Sequence, residues 1–189
     1  MNLVLDSARL RLRPLTEADL DLTVEIYTDP AVMKYAGGAR TRAQVVAKHP
    51  QLVRRCAGGC VGVWSVADRT SGEGLGVGIL LPLPVEAEQI DYDLVVGDEL
   101  PDAEIEVGYL LKPSAWGRGI ATETCRRLLR FAFEDSPLDQ VIAVTAPENT
   151  ASQNVLLKCG MTAEPSRRAY GTDGPGFHIT RAEWLAGRD

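Results

Sequence analysis

No stretch of this sequence is apolar for long enough to span a bilayer. The longest candidate, LGVGILLPLPV, falls short of the roughly 18 to 20 residues required and carries two prolines. The opening MNLVLDSARLRLRPL lacks a charged head followed by a long apolar stretch, so no secretory leader and a cytoplasmic location are expected. Histidine is confined to His49 and His178, and the four cysteines form no C-x-x-C pair, so no metal site is expected and the thiols read as free and buried. Lysine and arginine are absent between Arg69 and Lys112, where acids accumulate from Glu73 through Glu86, Glu88, Asp91, Asp93 and Asp98 to Glu104 and Glu106. That run is either a field that steers a cationic ligand or a solvated acidic loop. A net charge of −6 argues against nucleic acid as a partner.

What is present fits one domain spanning residues 1–189, with 45% hydrophobic residues and ample length for a core. LRLRPL alternates as a half-buried strand does. Thr16 with Asp19, and Thr41 with Gln44, open two helices, the second of which Pro50 must bend or divide. GCVGVWSVAD and EGLGVGILLPLP read as a hairpin joined through RTSGEG, and residues 84–103 as a loop. IEVGYLLKP is a strand, followed after PSAWGRG by an amphipathic helix with Ile120, Ala121, Cys125, Leu128, Leu129 and Ala132 on one face. DQVIAVTAP is a buried strand, NTASQNVLLKCG a helix closed by Gly160, and FHITRAEWL a strand running into a short helix.

Most informative is PSAWGRGIATET, where two glycines sit between a strand and a helix. The first turn of a helix presents unpaired N–H groups at a partly positive dipole end, and glycine lets an anion approach them. Gly117, Arg118, Gly119, Ile120, Ala121 and Thr122 offer such a series, and Arg118 adds a cation. A dinucleotide fold would need an acidic residue at the end of the next strand, and VIAVTAP ends without one.

IEVGYLLKPSAWGRGIATETCRRLLRFAFED together with VIAVTAPENTASQNVLLKCGM resembles the Gcn5-related N-acetyltransferase (GNAT) superfamily. The form W-G-R/K-G-x-A-T-E is similar to its Rim-type branch, which acetylates protein N-termini. Trp116 departs from the Gln or Arg that usually opens the superfamily's phosphate loop. The resemblance implies an α/β fold with a mixed, mostly antiparallel sheet of about six to seven strands and helices on both faces. It implies acetyl-CoA as cosubstrate and an amine acceptor, either a protein N-terminus or a small cationic amine, with no membrane partner. Exposed strand edges in such folds offer a homodimer contact.

It further implies a base on the IEVGY strand, with Glu106 first and Glu104 in reserve, although Glu106 also fits an ion pair. Main-chain groups of Tyr109, Leu110 and Leu111 would meet the pantetheine arm, and the Leu110 N–H the developing oxyanion. Asn149 caps its helix or touches the pantetheine. Ser152 hydrogen-bonds or protonates the leaving sulfur, because Leu156 stands where many members carry tyrosine. Lys158 and Arg118 would neutralise phosphates. Tyr170 and His178, near the C-terminal strands, read as structural, with a place among acceptor-site groups as the alternative. A non-catalytic acyl-CoA-binding module is the alternative from another class.

Overall fold

A computed structural model describes residues 1–187. One nine-stranded sheet organises the chain: β1 (Leu5–Asp6), β2 (Leu10–Pro14), β3 (Arg55–Cys56), β4 (Val61–Asp68), β5 (Gly74–Pro82), β6 (Ile105–Leu111), β7 (Gln140–Val144), β8 (Thr162–Ala169) and β9 (Thr172–Thr180). The order is β1-β2-β4-β5-β6-β7-β9-β8, with β3 paired to β4. Every pairing is antiparallel except β6 with β7. The helices are α1 (Leu20–Thr28), α2 (Arg42–Leu52), α3 (Ile120–Glu134), α4 (Thr150–Lys158) and α5 (Arg181–Ala186). No helix among the described residues is long and apolar enough to cross a membrane.

The sheet exceeds the expected six to seven strands because three strands carry weak sequence patterns. β1 and β3 are two residues each. β8 holds Pro165, Arg167 and Arg168 and lies on the sheet edge, so most of its side chains face water and leave no alternation to read. Its register with β9 shifts between Glu164 and Arg167, which further blunts this edge. Pro50 neither bends α2 enough to end it nor divides it. It stands in the last turn, where a missing N–H costs a single bond, and the helix runs unbroken from its Thr41–Gln44 capping box.

The core centres on Trp64 of β4, which is fully buried with its ring edge-on to Phe131 of α3 at 5.5 Å. Its indole N–H donates to the Leu3 carbonyl at 3.0 Å, so the largest core side chain buries no unpaired donor. Tyr92 and Val95 pin the acidic loop to this core. The prediction is that Phe131→Ala costs about 3 to 5 kcal/mol, read as a fall in the denaturant midpoint with an unchanged slope.

Candidate active site

β6 and β7 are the feature around which the site forms. They pair in parallel at one position only, Glu106 opposite Ile142, and C-terminal to it they diverge. On its other side β6 is fully laddered to β5 from Ile105↔Pro82 to Leu111↔Gly76. Backbone bonds from Lys112 N–H to the Leu75 carbonyl and from Leu83 N–H to the Glu104 carbonyl fix the phase of that ladder. Alternation then turns the N–H groups of Glu106, Gly108 and Leu110 towards β5, and those of Tyr109 and Leu111 into the opening. The expected oxyanion donor at Leu110 is therefore corrected: its N–H belongs to the β5 ladder, and its neighbours hold the groups that face the gap. The Leu111 carbonyl is taken by the Trp116 indole N–H at 2.8 Å, which ties the glycine loop to the strand.

That loop begins α3. Gly117 and Gly119 have φ of 69° and 76°, the left-handed region in which a side chain is strained, and no side chain caps the helix. The first helical bond runs from Glu123 N–H to the Gly119 carbonyl. The N–H groups of Ile120, Ala121 and Thr122 thus lack acceptors among the described residues and point out of the helix end. Arg118 is exposed, its guanidinium on the Ser114 carbonyl at 3.1 Å. An acid in the first turn would repel phosphate, but Glu123 is occupied. It accepts from the Ser7 hydroxyl at 2.7 Å, the Arg9 N–H at 2.8 Å and the Arg9 guanidinium at 2.7 Å. Arg9 also donates to the Arg118 carbonyl at 2.9 Å, bracing the loop from outside. These free donors and the gap beside β6 suit the diphosphate and extended arm of coenzyme A.

Glu106 stands at the vertex of the gap and is 5% exposed. Burial raises its carboxyl from 4.5 to about 7, and a hydrogen bond donated by the Tyr170 hydroxyl offsets part of that rise. Tyr170 reaches it from the two-residue turn between β8 and β9, where Tyr170 and Gly171 have φ of 51° and 71°, as a type I′ hairpin demands. The turn is docked through the Tyr170 and Gly171 N–H groups on the Pro84 and Val85 carbonyls, each at 2.9 Å. Tyr27 of α1 and Tyr92 of the acidic loop add to the electrostatic surroundings of Tyr170. Tyr170, read as structural from sequence, is thus in direct contact with the candidate base. Nothing in the local sequence signals that contact. Glu104 is committed elsewhere: it pairs with Arg167 at 2.5 Å.

Side chains alternate along β6, so Tyr109 points to the opposite face from Glu106, towards α3 and α4. Its hydroxyl lies 2.9 Å from the Ser152 hydroxyl. Burial raises the phenol far above its usual range, which keeps it neutral. Sequence reading used only the main chain of Tyr109. The structure brings its phenol to the first turn of α4, against Ser152, while Leu156 is buried in the core. Asn149 caps α4, its side-chain oxygen accepting from the Ser152 N–H at 3.2 Å, which leaves its amide N–H groups free to donate. Lys158 is exposed at the end of α4, its carbonyl held by Arg126 at 2.6 Å. His178 lies 2.9 Å from Glu164.

Three acids of the run are held in ion pairs. Glu86 pairs with Arg168, Asp93 with Arg54 and Glu104 with Arg167. No group of three or more His, Cys, Asp or Glu side chains among the described residues could hold a metal ion. All four cysteines are free and buried.

Comparison with known proteins agrees with this geometry. Residues 9–162 match the family model described as an acetyltransferase (GNAT) domain. The chain is 32% identical over 191 residues to the FsC-acetyl coenzyme A-N(2)-transacetylase of Aspergillus fumigatus, covering 96% of this chain and 77% of that protein. The fold superposes on an aminoglycoside acetyltransferase AAC(6')-Ib in complex with coenzyme A, with TM-score 0.72, 20% identity, and 95% and 99% of the two chains covered. It also superposes on the spermidine N-acetyltransferase of Vibrio cholerae in complex with CoA and spermine, with TM-score 0.70, 16% identity, and 95% and 99% covered. A family model spanning most of the chain, a relative similar over nearly its whole length and a sheet that opens beside β6 lead to one conclusion: this chain belongs to the GNAT family of acetyl-CoA-dependent N-acetyltransferases.

Proposed function

We propose that the acceptor is an α-amine next to a carbonyl group, as at a protein or peptide N-terminus or in a small amino-acid derivative, and that Glu106 is the base that frees it. The carrying observation is the buried Glu106 carboxyl, poised at about 7. An α-ammonium near 7.7 to 8.0 gives its proton to such a base at a cost of only about 1 kcal/mol. A lysine-type amine near 10.4 would cost about 4 to 5 kcal/mol. The Aspergillus relative, by its name, transfers acetyl from coenzyme A to an N(2) nitrogen, which supports a nitrogen acceptor at one defined position. The likeness to spermidine and aminoglycoside enzymes lies below 25% identity and carries the fold alone. WGRGIATE supports placement in the Rim-type branch, and four reduced, buried cysteines suit a cytoplasmic location.

In this reading the loop of Gly117 to Thr122 binds the diphosphate, with Arg118 and Lys158 as exposed cations beside it. The free Asn149 amide and the Tyr109 and Leu111 main chain hold the pantetheine arm. Glu106 accepts the amine proton, and the freed nitrogen attacks the thioester carbonyl. N–H groups on the open side of β6 meet the negative charge that develops on the carbonyl oxygen. As the C–S bond breaks, Ser152, hydrogen-bonded to the Tyr109 phenol, passes a proton to the departing thiolate, and the second proton shed by the acylated nitrogen restores the serine hydroxyl. Tyr170 positions Glu106. The pairing of Glu106 with Tyr170 and of Ser152 with Tyr109 weighs against a non-catalytic binding module, for which neither contact would be required.

Four outcomes test this. Intact-mass detection with acetyl-CoA should find acetylation of free α-amines and none of N-blocked peptides; acetylation confined to polyamines or aminoglycosides would overturn the α-amine reading. Glu106→Gln should lower kcat about 10²- to 10⁴-fold. The same variant should be more stable at neutral pH. In the folded chain Glu106 holds its proton more tightly than when unfolded, so its ionisation removes stability as pH rises from 4.5 to about 7. Thermal melts should therefore show a gain of up to about 3 kcal/mol at pH 8 that disappears below pH 4.5. Tyr170→Phe removes a donor to the ionised carboxylate, which raises the Glu106 pKa further. The acid limb of kcat/KM should then move to higher pH, with activity recovered in alkaline buffer; an unchanged profile with a uniform loss would mean that Tyr170 is structural only.

A further inference from the structure

On the same side of the sheet as Glu106, an open pocket of about 460 Å³ lies between the segment after α1 and the outer turns of α2. Its wall includes Arg40, Lys48, Gln44 and Gln89. Arg40 and Lys48 are both half-buried. Neither has a carboxylate within ion-pair distance among the described residues, and neither side chain makes a hydrogen bond there. Each cation rests on an aromatic face, and Asp91 and Asp93 act on Lys48 only from beyond ion-pair distance. The Arg40 guanidinium lies 5.9 Å from the centroid of the Tyr27 ring, and the Lys48 ammonium 4.8 Å from that of Tyr92. Both rings belong to the tyrosine group around Tyr170 and Glu106.

Two cations held close together and half out of water, without an acid between them, are unfavourable in the empty protein. The Lys48 ammonium registers this: burial and then the nearby Arg40 charge lower its pKa, and Asp91 and Asp93 oppose that shift only in part, while Arg54 adds to it. Elsewhere the chain pairs its arginines liberally, spending Arg54, Arg167 and Arg168 on the acids of the neighbouring loop. The pair therefore lacks a directly bound counter-charge, Asp91 and Asp93 standing beyond ion-pair distance of Lys48, and the adjoining pocket has amide side chains, Gln44 and Gln89, to complete the coordination of an oxyanion.

We infer that the Arg40–Lys48 pocket is an anion subsite of the acceptor cleft, and that the acceptor carries a carboxylate close to the amine it presents to Glu106. This rests on the α-amine acetyltransferase reading and narrows it. It also reverses the sequence-based expectation of a cationic acceptor, since the acids behind that expectation are partly neutralised while these cations are not. The carboxylate can belong to a small molecule, as the C-terminal group of an amino acid or dipeptide, or to an Asp or Glu side chain at the start of a longer chain. Charge-assisted contacts to two cations are worth far more than rim ion pairs, so the carboxylate should show in both binding and turnover.

The test compares isosteric pairs. One arm is Ala-Ala and its C-terminal amide. The other is a C-amidated hexapeptide beginning with Glu and its Gln counterpart. The carboxylate member of at least one pair should be preferred about tenfold or more in kcat/KM, and the arm that shows it identifies the source. Arg40→Gln/Lys48→Gln should reduce that preference to below about twofold while leaving the Kd for acetyl-CoA unchanged. No preference in either arm, or a preference that survives in the double variant, overturns the subsite. Calorimetric titration with the N-acetylated products, acid against amide, reads the subsite without turnover. If acetyl-CoA binds, the acid product is favoured and no acceptor is acetylated, the subsite stands and the catalytic reading fails; equal binding of the two products would remove the subsite by itself.

Discussion

The single bridge between β6 and β7 is the constraint on which the rest of the structure depends. Parallel strands that stayed paired would satisfy each other's backbone and leave no entrance. Here pairing ends at Glu106 opposite Ile142, so the outward N–H and C=O groups of the next residues of β6 are released into a gap. Unpaired main chain in a sheet interior is costly unless something replaces the missing strand. An extended arm rich in amide groups is such a replacement. The complete β5–β6 ladder keeps β6 in place while its other edge is open.

Alternation along that one strand divides the chemistry between two faces. Glu106 faces tyrosines from α1, the acidic loop and the β8–β9 turn, whereas Tyr109 faces α3 and α4 and meets Ser152. The buried carboxyl and the Ser152–Tyr109 hydroxyl pair thereby lie on opposite faces of the sheet beside the point at which the strands part. Burial tunes the first group: a carboxylate out of water is penalised, and the one hydrogen bond from Tyr170 offsets only part of that penalty. The penalty is a loss of stability, left in place at a carboxyl that titrates near neutral pH. A similar economy governs the α3 end, where Arg9 and Ser7 occupy Glu123 so that the first turn keeps its donors without a competing charge.

Much of this was legible in order along the chain. The capping boxes at Thr16 and Thr41, the apolar stripe of α3, the glycine loop and the closing Gly160 are local devices, set by a few adjacent residues, and the structure has each where the pattern indicates. The position of Glu106 on the strand before the loop was legible for the same reason. β8 was not, because an edge strand wetted on most of its length has no periodicity to read. Pro50 was misread because its effect depends on how near the helix end it falls.

Charge shows the division most clearly. Composition along residues 70–111 is acidic without a single lysine or arginine, yet Arg54, Arg167 and Arg168 arrive from distant parts of the sequence to pair with that run, and Arg40 and Lys48 gather unpaired beside it. The phenols on Glu106 and Ser152 likewise come from 64 and 43 residues away. The sequence by itself determined most of the elements and the glycine loop with its open helix end, because those follow from spacing and backbone chemistry within a turn or two. Only the tertiary structure decided which side chains meet Glu106 and Ser152 and which charges are left unpaired, because those depend on which surfaces the sheet brings within a few ångströms of each other.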